Sequence, residues 1–139
     1  MNKDKHTTAR NADIIAKARR FAREAAEQGR SITLDELAQM VRDSRPNHFY
    51  QNYDRASAIL HTIERSNVNQ VVINAEARQM WLDMLTQVRQ VMQMRQKLNF
   101  SQALTHVLLF GRPERFFVTS DTIRRILSPH FKTILTAVS

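Results

Sequence analysis

The sequence predicts an all-α fold: a helical bundle of six or seven helices, with two pseudo-symmetric helix–hinge–helix repeats flanking a long central helix. Three observations lead there. Helix breakers are scarce, Gly 2 and Pro 3 in 139 residues, whereas the good helix formers Ala, Leu, Met, Gln and Arg are plentiful. Apolar residues recur at three- and four-residue steps along most of the chain. One motif occurs twice: Arg45-Pro46-Asn47-His48-Phe49-Tyr50 returns as Arg112-Pro113-Glu114-Arg115-Phe116-Phe117, 67 residues later (112 − 45 = 67). The same offset pairs Leu37 with Leu104, Met40 with Val107 and Val41 with Leu108 before the motif. After it, the offset pairs Asp54 with Asp121, Ile59 with Ile126 and Leu60 with Leu127.

Residues 1–9 are expected to form a disordered basic leader, and 10–139 a single helical domain. Asn11 is the expected N-cap of a first helix to about Gln28, with Ile14, Ile15, Ala18, Phe21, Ala22 and Ala25 on one face and Gly29 as its left-handed stop. Repeat one spans 32–66. Thr33-Leu34-Asp35-Glu36 is a capping box, and Leu34, Leu37, Met40 and Val41 make the buried stripe. Pro46 ends that helix, because proline lacks an amide hydrogen and disfavours α geometry at Arg45. A helix from Tyr53 to Arg65 then buries Ala56, Ile59, Leu60 and Ile63. Ser66-Asn67-Val68-Asn69 reads as a linker.

The central helix is expected over 74–98, capped by Asn74, with Ala77, Trp81, Met84, Leu85, Val88, Val91 and Leu98 on its stripe. Arg95 interrupts a heptad-like seam. Repeat two spans 99–132. Ala103, Leu104, Val107, Leu108 and Phe110 are its first apolar set, and Gly111 ends that helix. Thr119 or Ser120 caps a helix burying Ile123, Ile126 and Leu127, which Pro129 terminates. Phe131, Ile134, Leu135 and Val138 suit a last short helix.

Cys 0 excludes disulfides and thiolate metal sites. The five histidines are scattered, with no pair at metal-ligand spacing. No glycine-rich phosphate loop and no nucleophile elbow occurs. The chain is therefore expected to be no enzyme and to need no cofactor. It lacks a signal-peptide pattern and an apolar run of membrane length, so a cytoplasmic location without a membrane partner is expected.

The net charge is +8, a legitimate argument for attraction to phosphate and none for fold. Residues 1–30 carry eight Lys/Arg against four Asp/Glu, and 99–139 carry five against two. Residues 31–73 carry four against five, so the two repeats share a fold signal without sharing a charge signal. DNA or RNA is the expected partner, with Arg20, Arg112, Arg115, Arg124 and Arg125 as the candidate phosphate contacts. The alternative is a protein-interaction or scaffolding module in which the long helix pairs with a protein partner or with itself; Met80, Met84, Met92 and Met94 suit such adaptable packing. A helix-turn-helix DNA reader fits poorly, since about ten residues separate the paired helices where that motif uses three or four. The hinge residues Arg45, Pro46, Phe49, Tyr50, Pro113, Phe116 and Phe117 are read as structural. Proline breaks the first helix, the aromatic pair plugs the gap, and arginine satisfies free carbonyls.

The paired motif, Arg45-Pro46-x-x-Phe49-Tyr50 and Arg112-Pro113-x-x-Phe116-Phe117-Val118-x-Ser120, resembles an uncharacterised family of small basic helical bacterial proteins with two Arg-Pro-x-x-Phe-aromatic hinges. Those hinges flank a long helix containing a tryptophan, the place Trp81 takes here. The resemblance covers residues 12 to 130. It departs at the first hinge, where Gln51-Asn52 stands for the expected Val-Ser. It implies the architecture and carries no activity.

Overall fold

Most helices begin where the sequence offers a side chain to the free amides of the first turn. The computed structural model describes residues 5–66, 72 and 74–138. Among these residues it contains seven α-helices and one 3₁₀ turn: α1 Lys5–Glu27, α2 Leu34–Arg42, α3 Tyr53–Arg65, α4 Ala75–Met94, α5 Phe100–Phe110, α6 Ser120–Leu127, the turn Ser128–His130 and α7 Phe131–Val138. Thr33 and Glu36 form the capping box of α2, and Asn99 with Gln102 forms a second one on α5. Asn52, Asn74 and Thr119 cap α3, α4 and α6 through their side chains. Gly29 ends α1 at φ 69°, where a Cβ would be strained.

The two hinge-bearing units do not fold as separate hairpins. They interlock. α2 packs on α6, its counterpart's second helix, and α3 packs on α5. Two buried clusters result. One joins α1, α2, α6 and α7 through Ile14, Ala18, Leu37, Val41, Ile123, Leu127 and Ile134. The other joins α3, α4 and α5 through Leu60, Trp81, Met84, Val88, Leu104 and Val107. Phe116 belongs to the first cluster and Phe49 to the second. Each hinge thus sends its aromatic anchor into a different core, which ties the clusters together at the hinges.

Several expectations need correction. α1 starts at Lys5, inside the stretch expected as a disordered leader, and runs through Asn11 without a cap there; residues 1–4 lie outside the described residues. The central helix stops at Met94 rather than Leu98. The Arg95 backbone amide closes the last turn on Val91, and the chain must turn so that Asn99 can cap α5. Phe110 is not core: it is 70% exposed, because the line of α5 that faces α4 ends at Val107. Ile59, Ile126 and Leu34 are only partly buried, at the margins of the clusters, and Met40 is partly buried too. Asn67, Val68 and Asn69 of the expected linker lie outside the described residues. The second unit keeps the register of the first at its cap, Thr119 following Asn52 by 67 (119 − 52 = 67). It then departs, since Pro129 divides the region matching α3 into α6, the 3₁₀ turn and α7.

Candidate functional site

The site is built where the hinges cross. Pro46 and Pro113 are buried and stop the helical ladder, and among the described residues no backbone amide donates to the carbonyls of Arg45, Pro46, Arg112 and Pro113. The arginines supply the donors, each to the other hinge. Arg45 Nε donates to the Pro113 carbonyl at 3.0 Å and Nη2 to that of Arg112 at 2.9 Å. Arg112 Nε donates to the Pro46 carbonyl at 2.8 Å and Nη2 to that of Arg45 at 3.0 Å. The planar fork of arginine makes this two-point contact possible; a lysine could not reproduce it.

Behind each hinge stands an aspartate on a long helix. Asp13 Oδ2 accepts the Asn47 amide at 2.7 Å, and Asp83 Oδ2 accepts the Glu114 amide at 2.9 Å. The remaining oxygen takes a donor one turn later. Lys17 Nζ reaches Asp13 Oδ1 at 2.6 Å, and Gln87 Nε2 reaches Asp83 Oδ1 at 3.1 Å. The same donors also touch the hinges, Lys17 at Asn47 Oδ1 (3.0 Å) and Gln87 at the Arg112 carbonyl (2.7 Å). α1 and α4 therefore play one role, at an offset of 70 (83 − 13 = 70). Ile14 and Met84, then Ala18 and Val88, are fully buried at that same offset.

Sequence reasoning missed this correspondence. The signal was present as Asp13-Ile14-Ile15-x-Lys17-Ala18 against Asp83-Met84-Leu85-x-Gln87-Val88. It was hidden because its offset differs by three residues from that of the hinge motif. Neither was the use of Asp13 and Lys17 as a buried pair foreseen.

The two halves differ in electrostatics. Burial would raise the Asp13 carboxyl, but the Asn47 amide, Lys17 and Tyr50 outweigh it and hold its pKa below the ordinary value. Tyr50 donates its hydroxyl to Asp13 Oδ2 at 2.7 Å, and burial with that carboxylate raises the phenol's pKa. Tyr50 sits at φ 59°, a left-handed conformation that costs a bulky residue energy and persists only where surroundings impose it. In the other half, Glu76 lies between Arg42 Nη2 at 2.7 Å and Arg115 Nη1 at 2.8 Å. Burial opposes its ionisation, and the two guanidinium groups overcome this and lower its pKa.

These contacts place the expected phosphate contacts. Arg112 is engaged with the opposite hinge. Arg115 is paired with Glu76 and stacks over the Phe117 ring at 4.5 Å. Arg124 bonds Asp121 at 2.6 Å and approaches Asp35 at 3.3 Å, and Arg125 also bonds Asp121. Arg20 is exposed, with Glu24 at 3.9 Å. The four arginines of the second unit thus all have internal partners, and Arg20 stands apart on α1.

Among the described residues, several other cations have no acidic partner, among them Arg65, Arg95, Lys97 and Lys132 and a group on α1. Arg19 and Arg23 are exposed one turn apart on α1 and, among the described residues, have no acidic partner. Arg10 is half-buried. Among the described residues its guanidinium meets only Asn11 Oδ1, at 3.0 and 3.2 Å, and burial lowers its pKa. Arg10 also lines two adjoining clefts at the hinge crossing. One, of about 310 Å³, lies among His48, Gln51, Met80 and Phe117. The other, of about 270 Å³, includes His6, Gln51, Asn52 and Arg55. Among the described residues, no carboxylate lines either cleft. Among the described residues, no cluster of three or more His, Asp or Glu side chains could hold a metal ion, and no helix is long and apolar enough to cross a membrane.

No protein-family model matches the chain, and neither the curated proteins nor the solved structures contain a match to it.

Proposed function

We propose that the protein is a non-catalytic nucleic-acid-binding or accessory protein that engages phosphates chiefly through its N-terminal helix. The observation that carries this reading is where positive charge is left without a partner. Arg112, Arg115, Arg124 and Arg125 spend donors on carbonyls or carboxylates of the fold, so a phosphate must compete with those contacts. Among the described residues, Arg10, Arg19 and Arg23 meet no carboxylate and no carbonyl of the main chain, Arg10 donating only to Asn11 Oδ1, and Arg20 has a long contact to Glu24 and lies over the Phe21 ring. Four phosphates neutralised from α1 correspond to a salt slope of about −3 to −4 on duplex DNA. Fluorescence anisotropy against mixed DNA and RNA at increasing salt tests this. Absence of binding at low salt by folded protein would sink it.

Internal duplication accounts for the architecture. Its supports are the apolar register at one offset, the Asp-bearing long helices at the other, and the reciprocal hinge contacts. On this reading each copy holds a long helix, a capped helix, an Arg-Pro hinge and a second helix.

A protein-interaction module is the second reading, favoured by one observation. Met94 is 85% exposed and Phe110 70%, and both line the groove between α4 and α5. Sedimentation of wild type against Met94→Ser, Phe110→Ser separates this from the first reading.

A further inference from the structure

At the hinge crossing nearly every polar side chain is already spoken for. Asp13, Lys17, Asn47 and Tyr50 satisfy one another. Arg45 and Arg112 hold carbonyls, and Glu76 holds Arg42 and Arg115. Four side chains are left over: Arg10, His48, Gln51 and Arg55. Apart from Arg10's contact to its neighbour Asn11 and the His48 ring edge against Tyr50, these side chains have no partner among the described residues. All four line the two adjoining clefts, which share Arg10 and Gln51.

The corresponding positions of the other half sharpen the point. Counting back by 70 on the long helices, Glu76 corresponds to His6 and Met80 to Arg10. Counting back by 67 beyond the hinge, Arg115 corresponds to His48 and Thr122 to Arg55. One half closes this place with a carboxylate between two guanidinium groups. The other half shows no carboxylate there among the described residues and gathers two arginines and two histidines. Folding gains nothing from half-burying an arginine such as Arg10 without an anion. A ligand that brings the anion would recover that cost.

We propose that these clefts receive one unpaired nucleotide of a single-stranded nucleic acid. Its phosphate lies between Arg10 and Arg55, and its ring lies in the cleft of His48, Met80 and Phe117. The two volumes together are in the range of small-ligand sites. The mixed lining, cationic at one end and aromatic at the other, matches how single strands are held by charge and base stacking. A base inside a duplex is stacked on its neighbours and is not free to enter. The source of the nucleotide rests on the nucleic-acid reading above; the geometry of the clefts does not.

The test compares a labelled single strand with the same sequence as a duplex, by anisotropy, for wild type, Arg10→Gln and Arg55→Gln. Adenosine monophosphate is titrated in parallel by NMR, following the Gln51 side-chain amide. The single strand should bind at least about tenfold tighter than the duplex. Each variant should lose about tenfold on the strand, the worth of a charged hydrogen bond; on the duplex Arg55→Gln should lose little, and Arg10→Gln less than on the strand. The monophosphate should shift the Gln51 amide in wild type and not in Arg10→Gln. Arg55 is exposed on a helix surface, so its variant stays informative if Arg10→Gln folds poorly. Equal affinities for strand and duplex, unchanged in both variants, overturn the cleft as the site while leaving nucleic-acid binding intact. Loss of all nucleic-acid binding overturns the broader reading; the monophosphate titration then decides the cleft alone, an unshifted Gln51 amide overturning it.

Discussion

Arg45 and Arg112 each donate two hydrogen bonds to the backbone of the other's hinge, between 2.8 and 3.0 Å. The residues are 67 apart in sequence, so no local preference produces this contact. It requires both units to be folded and crossed, and it makes the hinges a single joint.

The joint should be energetically coupled. Arg45→Ala and Arg112→Ala each remove two charge-assisted bonds to carbonyls, at a cost of about 1–3 kcal/mol after allowing for their exposure. In a double-mutant cycle by urea unfolding, a coupling of about 0.5 kcal/mol or more is expected. Strict additivity would show that the two guanidinium groups act independently. Lysine at either position should not restore stability, because it lacks the fork.

Phe49 and Phe116 each fill a core from the hinge, with 4% and 2% exposure. Replacing either with alanine should destabilise the protein by about 3–5 kcal/mol. A melting shift of a degree or less for Phe116→Ala would show that it is not a packing anchor.

Stability should fall in acid. Asp13 and Glu76 both have pKa values lowered by folding. Each therefore contributes stability that is present above the unfolded carboxylate value, about 4, and is lost as pH drops through the folded value. The melting temperature should change little between about pH 7 and 5 and fall steeply below about 4. Asp13→Asn leaves Lys17 buried without its carboxylate and should cost about 3–5 kcal/mol at neutral pH. The gap to wild type should narrow as pH falls; a gap independent of pH contradicts the assignment.

Charge reversal should separate the two basic regions. Arg19→Glu with Arg23→Glu is expected to abolish duplex binding and to weaken single-strand binding, without changing the fold. Arg124→Glu with Arg125→Glu sets new carboxylates beside Asp121 and Asp35, so its first effect should be on the melting temperature. If only the second pair affects binding in folded protein, the phosphate contacts lie on the second unit after all.

Gly111 should not tolerate a side chain, despite an ordinary φ of −74°. A Cβ there would lie 2.6 Å from the Val107 carbonyl oxygen and 2.8 Å from Gln87 Oε1. Gly111→Ala should cost about 1–3 kcal/mol, as overpacking does. At Gly29, by contrast, the same substitution meets open space, and its penalty comes from the backbone alone.

Helical periodicity, the caps Thr33, Asn74 and Thr119, and the Arg-Pro hinges were all legible in the sequence, because each depends on residues within a few positions of one another. The sequence also determined that Phe49 and Phe116 would be buried, as large apolar groups between amphipathic helices. Only the tertiary structure decided which helix meets which: α2 lies on α6 and α3 on α5, since the hinge aromatics carry each unit into the other's core. The same crossing decided the fate of the charges. Arg112, Arg115, Arg124 and Arg125 looked free in a count of basic residues, yet their partners come from Arg45, Pro46, Glu76, Asp35 and Asp121, mostly from distant segments. Arg10 looked like one more solvated cation and proved half-buried, with no acid beside it among the described residues. Coulomb and hydrogen-bond energies depend on distance in space, which a one-dimensional pattern specifies only for neighbours along the chain.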